Sequence, residues 1–503
     1  MSSLHPDQER GGEALSPTTL GLLEVWETLS DFEIEDVAGG GGVENADSAR
    51  RRESEQRREE EEGESQRQAV ESSANGATKG SSTKVIDKRS PLERFRKAPR
   101  KNLSVTDLVS PAWCELQYWY SLTKHGRKRA TPAMKKGSAV HKTLEEQVHT
   151  TVPVEILTRE DGWAVRIFNV IQSLHTLRKT GITRELEVWG VIDGEIVTGI
   201  IDELSYDCPD PELEATSNPD CAQVRSAVSL IPEENVSVSD SANPVTEGDK
   251  EVTDSISITG TVGSTQLDTE EKIYITDIKT RGSTTKAPTV SSIGFRPTLL
   301  QLHLYYHMLA RLITSDDITI ESIASRYRLD TNRVLSDSLI AQLSTCFESN
   351  IAEEPSSSPI DQESINALFN QPSLSSLWSL MKQHLQHTFL PPSQTTQPTT
   401  GISPPTLLSP LLTATYVSSA PDPSEPMKCL GSRSFFFDAN DLYPYLADGM
   451  RFWRGNRAAK GVGMVEAWKC RICEFRDDCE WRGAKEKEVV QRSKRGGKAK
   501  GKG

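Results

Sequence analysis

Apolar residues are scarce in this chain. Only 35% of its 503 residues are hydrophobic and 6% aromatic, too lean for a core that runs through the whole length. The composition predicts one globular domain, interrupted and flanked by stretches too polar to offset the entropy of ordering them. No apolar run approaches the ~20 residues that cross a bilayer. An apolar signal segment is also missing, so the eight cysteines are not expected to form a secreted disulfide framework. The N-terminal stretch instead holds Asp7, Glu9, Glu13, Glu24 and Glu27, unlike an acid-poor, Arg-rich transit peptide. A soluble, intracellular, monomeric protein without membrane association is expected. A GxxxxGK(S/T) phosphate loop is missing too, which argues against a fused nucleotide-driven motor.

The formal charge of −14 looks wrong for a protein that handles nucleic acid until it is located. Between Asp207 and Glu271 stand 15 acidic residues against Arg225 and Lys250, which leaves 56 basic and 57 acidic residues elsewhere. A basic channel on the remainder is therefore compatible with the composition.

Polar and low-complexity runs divide the chain. Residues 1–83, with the Gly39–Gly42 run and the charge block Arg50–Arg67, are expected to be disordered. Within them residues 20–37 alternate apolar residues with acids and could dock a protein partner. A first part of the folded domain is expected at 84–206, an acidic disordered insert at 207–271, a second part at 272–351, and a Ser/Pro/Thr-rich insert at 352–425. The end of the domain, with a cysteine cluster, is placed at 426–482, followed by a basic disordered tail at 483–503. Ser104 can cap a first helix, and a second is suggested around Gly137 to Val148. Period-two alternation on both sides of Asp193-Gly194 predicts a hairpin, because that pair supplies the positive φ angles of a tight primed turn. A strand is expected at Ile273 to Thr280 and a helix at Leu299 to Ile313.

The chemistry concentrates on those elements. Asp202 closes the second hairpin strand after Gly199-Ile200-Ile201, while Asp277 and Lys279 stand two apart, on one face of the next strand. Two converging carboxylates offer hard oxygen ligands to a divalent cation, Mg²⁺ or Mn²⁺. An adjacent lysine can orient an attacking water, or as the neutral amine deprotonate it, and as the ammonium stabilise a phosphorane. His141 and Glu145 are four apart on one helix, and so are Gln301 and Tyr305 on the helix after the DxK strand. Near the C-terminus Cys470, Cys473 and Cys479 form CxxCx5C, one ligand short of a tetrahedral site. Cys114 is the candidate fourth, since Cys208 and Cys221 lie in the acidic insert and Cys346 and Cys429 lack motif context. Zinc and an iron-sulfur cluster both remain open for such a set.

The order GxxxHxxxE, GIID, DxK, QxxxY resembles the RecB-like branch of the PD-(D/E)xK nucleases. LSVTDLVSPAWCELQYWYSL, RELEVWGVIDGEIVTGIIDEL, YITDIKTR and CRICEFRDDCEW together resemble exonuclease V. The resemblance implies an α/β fold with a restriction-endonuclease-like mixed sheet flanked by helices and its ends clamped by a 4Fe-4S cluster on Cys114, Cys470, Cys473 and Cys479. It implies Asp202 and Asp277 as principal metal ligands, His141 as a further one, Lys279 as the catalytic lysine, and Gln301 and Tyr305 as DNA-contacting or lysine-positioning residues. The implied activity is exonucleolytic degradation of single-stranded DNA in repair or maintenance of a nuclear or mitochondrial genome. A catalytically inactive cluster-bearing DNA scaffold and a zinc-stapled endonuclease are the alternatives.

Overall fold

The computed structural model describes residues 21–23, 87–125, 132–216, 272–281, 287–352, 366, 370–391, 406–418 and 428–500. Two compact units emerge, one joining residues 1–25 to 90–503 and one spanning 26–89. Of the second, only Asp87–Arg89 is described, where the Arg89 guanidinium pairs with the Asp87 carboxylate at 2.8 Å.

The larger unit is a mixed α/β domain. Strand β1 (Leu103–Ser104) runs into helix α1 (Val105–Val109) through a capping box: Ser104 Oγ accepts the Asp107 N–H at 3.2 Å, and Asp107 Oδ2 accepts the Ser104 N–H at 2.9 Å. Helices α2 (Pro111–Tyr120), α3 (Pro132–Glu146) and α4 (Arg159–Thr180) follow. Gly181 then ends α4 in the left-handed conformation, φ 82, a geometry that costs glycine least.

The hairpin expected around Asp193-Gly194 is present as β2 (Ile182–Ile192) and β3 (Glu195–Ser205), with φ of 51 and 81 at the two turn residues. Strand β4 (Ile273–Arg281) and helix α5 (Arg296–Thr314) come next. Helix α6 (Leu374–Phe389), strands β5 (Leu408–Ser418) and β6 (Cys429–Phe436), and helices α7 (Ala439–Trp453) and α8 (Glu480–Lys500) complete the scaffold.

All six strands form one sheet. Along one edge β3 pairs with β2 from turn to end. Its other pairings are divided: Val197 and Thr198 bond β1, while Glu203 to Ser205 bond β4. Strand β4 runs parallel to β5, and β5 antiparallel to β6. Helix α5 packs on this sheet, and α4 is sandwiched between β2 and α6. Almost the whole of α4, from Glu160 to Leu177, is buried.

Three parts of the expected organisation are corrected. The stretch read as a Ser/Pro/Thr-rich surface insert contains α6 and β5. In α6, Leu374, Leu377, Trp378, Met381, Leu385 and Phe389 are buried at helical spacing, a signal diluted by the polar flanks. The start of the acidic insert is ordered as a helical turn, Pro211–Ala215, whose Glu214 takes the Lys272 ammonium at 2.6 Å; residues 217–271 lie outside the described residues. The basic tail is helical as far as Lys500. Of the proposed partner-docking segment only Gly21–Leu23 is described, a strand parallel to Thr150–Val152. Among the described residues no helix is long and apolar enough to cross a membrane.

Candidate active site and cysteine pocket

The sheet opens where the carboxylates stand. Pairing of β3 with β4 stops at Glu203 and Thr276. One step further on, Asp202 and Asp277 face each other across the parting strands. The N–H of Ile278, released from the ladder there, donates to Asp202 Oδ2 at 2.7 Å. Lys279 Nζ donates to Asp277 Oδ1 at 2.7 Å and to Gln301 Oε1 at 3.0 Å, and Gln301 Nε2 donates to the Tyr305 hydroxyl at 3.1 Å. The two pairs read from the sequence, DxK and QxxxY, thus join into one hydrogen-bonded chain.

Close packing accounts for two glycines of the motifs. A Cβ on Gly199 would sit 2.6 Å from Val105 Cγ2 and 2.8 Å from Tyr305 Cε1, so glycine lets α1 and α5 press against β3. On α3, a Cβ at Gly137 would meet Thr280 Oγ1 at 2.9 Å, and this close approach brings α3 to the end of β4.

From α3, His141 Nδ1 reaches Glu185 Oε1 at 3.1 Å. His141, Glu185 and Asp202 each offer a ligand atom, and these atoms lie within 4.8 Å of one another. Glu145, grouped with His141 by its spacing, is not in this trio, and Glu185 was not foreseen. It has φ 52, in the left-handed region, and its neighbours pair Arg184 with Glu203 and Leu186 with Ile201. That register sets Glu185 opposite Asp202. Counting back from the Asp-Gly turn would have found it, because a two-residue turn fixes the register of the whole hairpin.

The electrostatics are those of a cation site. Burial, and then the Asp277 charge, push the Asp202 carboxyl up to about 7. Burial acts against the Lys279 ammonium, yet the facing Asp277 and Asp202 charges outweigh it and hold Lys279 above its ordinary range. The Glu185 hydrogen bond raises His141. Burial lifts Tyr305 well above the usual phenol range, so it stays protonated. Asp277 Oδ2 is buried without a hydrogen-bond partner. An unsatisfied carboxylate oxygen costs about 1–3 kcal/mol or more, and a divalent ion would relieve it. Histidine nitrogen with carboxylate oxygens is a donor set that suits Mg²⁺ or Mn²⁺.

The second site joins α2 to the C-terminal segment. Cys114, Cys470, Cys473 and Cys479 line a single pocket with Trp113, Tyr120, Phe475 and Trp481. Cys114 interrupts α2 with an extended backbone, φ −165 and ψ 111. Burial pushes its thiol up, against the N–H of Gln117 from the restarted helix, while the Leu116 N–H donates to the Lys460 carbonyl at 3.0 Å. Contacts that need no metal hold the two segments together. The carboxylate of Glu115 takes both Arg457 nitrogens at 2.6 and 2.8 Å and the Lys460 N–H at 2.7 Å. Buried Lys469 donates to the Trp113 carbonyl at 3.0 Å. Neither Glu115 nor Lys469 carried a signal in the sequence beyond being next to a motif cysteine.

Residues 90–482 match the family model described as "Exonuclease V - a 5' deoxyribonuclease". A Danio rerio protein named Exonuclease V is 39% identical over 120 residues, 23% of this chain and 30% of that protein. An Eremothecium gossypii protein named "Exonuclease V, mitochondrial" is 24% identical over 450 residues, 77% of each chain. The matched part is thus under a third of the fish relative's length and about three quarters of the fungal one's.

Proposed function

Because the chain belongs to the exonuclease V family, we propose that it is a metal-dependent nuclease of the PD-(D/E)xK type that degrades single-stranded DNA from a 5′ end in genome repair or maintenance. The observation that carries this reading is the opening of the sheet at Asp202 and Asp277, with Lys279 fastened between Asp277 and Gln301. A scaffold that only bound DNA would gain nothing from two facing carboxylates, half-buried Asp202 and buried Asp277, which repel each other unless cations lie close by.

Asp202, Asp277, Glu185 and His141 are the residues that would hold the ion, and a bound divalent cation would supply Lewis-acid polarisation of the phosphate and a more acidic water. Lys279 remains an ammonium between two carboxylates, so its task is to direct a positive charge and hydrogen bonds at the phosphoryl oxygens or the attacking water. Gln301 and Tyr305 act through Lys279, fixing its rotamer by the Tyr305–Gln301–Lys279 chain of hydrogen bonds. Glu145, which lies on α3 one turn beyond His141, is left with a supporting role in placing that helix.

The four cysteines are proposed to carry a 4Fe-4S cluster. Four thiols converging from two segments match its ligand count, and the Gln117 N–H beside Cys114 suits a thiolate. A single zinc ion on the same four thiolates is the alternative, and iron, zinc and sulfide analysis of the purified protein separates the two. A DNA substrate places the chain with a nuclear or mitochondrial genome; the fungal relative's name puts that protein in mitochondria.

The test is digestion of a single-stranded oligonucleotide labelled at its 5′ or its 3′ end, with Mg²⁺ and then with EDTA. Release of short 5′-labelled products, abolished by EDTA, is expected. Metal-independent cleavage, or no cleavage by protein of full iron content, would refute the proposal.

A further inference from the structure

We propose that Lys97, Arg100, Lys101 and Arg328 form a second phosphate-binding site, which holds single-stranded DNA about 20 Å from the metal site; it rests on the nuclease reading above. The run Arg96 to Lys101 carries four cations and no acid. Lys97, Arg100 and Lys101 are exposed, and so is Arg328, which ends the helix Ile320–Tyr327 in the left-handed conformation, φ 56. The two segments are stitched together. The Arg326 guanidinium donates to the carbonyls of Arg96 and, at 3.4 Å, of Lys101. The Tyr327 hydroxyl donates to Asn102 Oδ1 at 2.6 Å and accepts the Asn102 N–H at 3.2 Å. Within the run the Arg100 N–H donates to the Lys97 carbonyl at 2.9 Å. These contacts engage the backbone and Asn102. They leave the four cationic side chains outside, where none has an ion-pair or hydrogen-bond partner among the described residues.

Other arginines of the region, and two acids beside them, are spent on the fold. Arg96 forks onto Asp107 at 2.6 and 2.9 Å, and Arg159 donates to the Tyr327 carbonyl. Asp107 also takes the Tyr118 hydroxyl, and Glu195 lies 4.0 Å from Arg326. Four cations gathered without counter-charges of their own repel one another, and a row of phosphates removes that repulsion. Their place on the sheet says which phosphates. One edge of β3 is shared between β1, at Val197 and Thr198, and β4, at Glu203 to Ser205; Asp202 stands in the stretch between, where the edge opens. Strand β1 is parallel to β3, so the chain ahead of Leu103 lies toward the hairpin turn. Asn102, next to Lys101, donates to the Ile196 carbonyl at 3.2 Å and to Thr198 Oγ1 at 2.8 Å. Ile196 is six residues along β3 from Asp202, ~20 Å at the rise of a strand. The cations therefore border the same edge that opens at the metal site, at a distance that an extended single strand crosses in a few nucleotides.

The experiment uses the full-length protein with Lys97, Arg100 and Lys101 together replaced by Gln, with Arg328→Gln alone, and with the charge-conserving set Lys97→Arg, Arg100→Lys and Lys101→Arg. Binding to a long oligothymidylate, and to a trinucleotide too short to span ~20 Å, is measured by anisotropy with Ca²⁺ replacing Mg²⁺ across a salt series. Cleavage of the long strand is followed by KM and kcat. For the triple Gln variant, Kd and KM on the long strand should rise about 30-fold with kcat within about threefold. Its log K against log salt should be shallower by about 2, the contribution of three phosphates on a single strand, and that of Arg328→Gln by about 0.7. Trinucleotide affinity should stay within about threefold of wild type, and the charge-conserving set should keep the wild-type slope. Unchanged long-strand affinity and slope in the triple Gln variant would overturn the site, leaving the run as a solvated face. An equal loss on both oligonucleotides, or a shallower slope in the charge-conserving set, would also overturn it, by making the run a support of the fold. Wild-type protein that neither binds nor cleaves the long strand would bring down the nuclease reading itself.

Discussion

The candidate active site draws His141 from α3, Glu185 from β2, Asp202 from β3, Asp277 and Lys279 from β4, and Gln301 and Tyr305 from α5, so five elements meet where two strands part. The cysteine pocket instead joins one early helix to one late segment, and it has its own polar latch in Glu115, Arg457 and Lys460. The first site is set by the buried sheet and helices around it, so removing one of its side chains should leave the fold standing. In the second, the four cysteines come from distant parts of the chain and as cluster ligands would bridge them, so losing one should loosen the domain. One site concentrates chemistry on a frame, and the other helps to make the frame.

The sharpest test of this contrast is at the frame-supported site. Asp277→Ala and Lys279→Ala are each expected to lower kcat by about 10³-fold or more, with oligonucleotide binding and thermal unfolding close to wild type, because their contributions belong to the transition state. A coincident loss of folding would erase the distinction. Glu185→Gln should reduce cleavage about 10- to 100-fold and raise the Mg²⁺ concentration for half-maximal activity, read from a metal titration; unchanged metal dependence would remove Glu185 from the ligand set.

At the cysteine pocket, Cys114→Ser should lose iron, DNA binding and cleavage together. Closing a loop of ~100 residues or more is worth about 5 kcal/mol, a large share of the ~5–15 kcal/mol of a domain. Full iron content in that variant, by metal analysis, would reassign the fourth ligand. Arg457→Ala leaves the nearly buried Glu115 carboxylate with the Lys460 N–H but without its counter-charge, and should cost about 3 kcal/mol in denaturant unfolding while the cluster remains. If it instead costs nothing, the cluster alone clamps the domain ends.

The smallest effect concerns the common frame. Burial pushes His149 down to about 4, and burial together with the Arg178 charge pushes His384 to about 3. Unfolded histidine titrates near 6.5, so below that pH the unfolded chain binds more protons and stability falls with falling pH. For these two groups the stability is complete above about 6.5 and is lost progressively toward 4. Unfolding at a series of pH values should show proton uptake in that window, with up to one proton less in His384→Gln.

Legibility in the sequence followed the range of the interactions. The β2–β3 hairpin could be read because Asp193-Gly194 and the alternating pattern act over two residues. The DxK and QxxxY spacings could be read because they repeat the strand and helix periods. Helix α6 was missed because its apolar stripe is embedded in polar sequence, and α4 because a helix buried on nearly every side has no polar face to reveal its period. Glu185 looks like any outward strand acid until register and a left-handed φ turn it toward Asp202. The sequence by itself determined the β2–β3 hairpin, β4, α5 and the motif residues on them with their order along the chain, since these depend on local periodicity and chemistry. Only the tertiary structure decided where β3 and β4 part, that Glu185 rather than Glu145 joins His141, and that Arg326 and Tyr327 hold the Arg96 to Asn102 segment. Each of these depends on contacts between residues tens to more than a hundred positions apart, which local sequence does not encode.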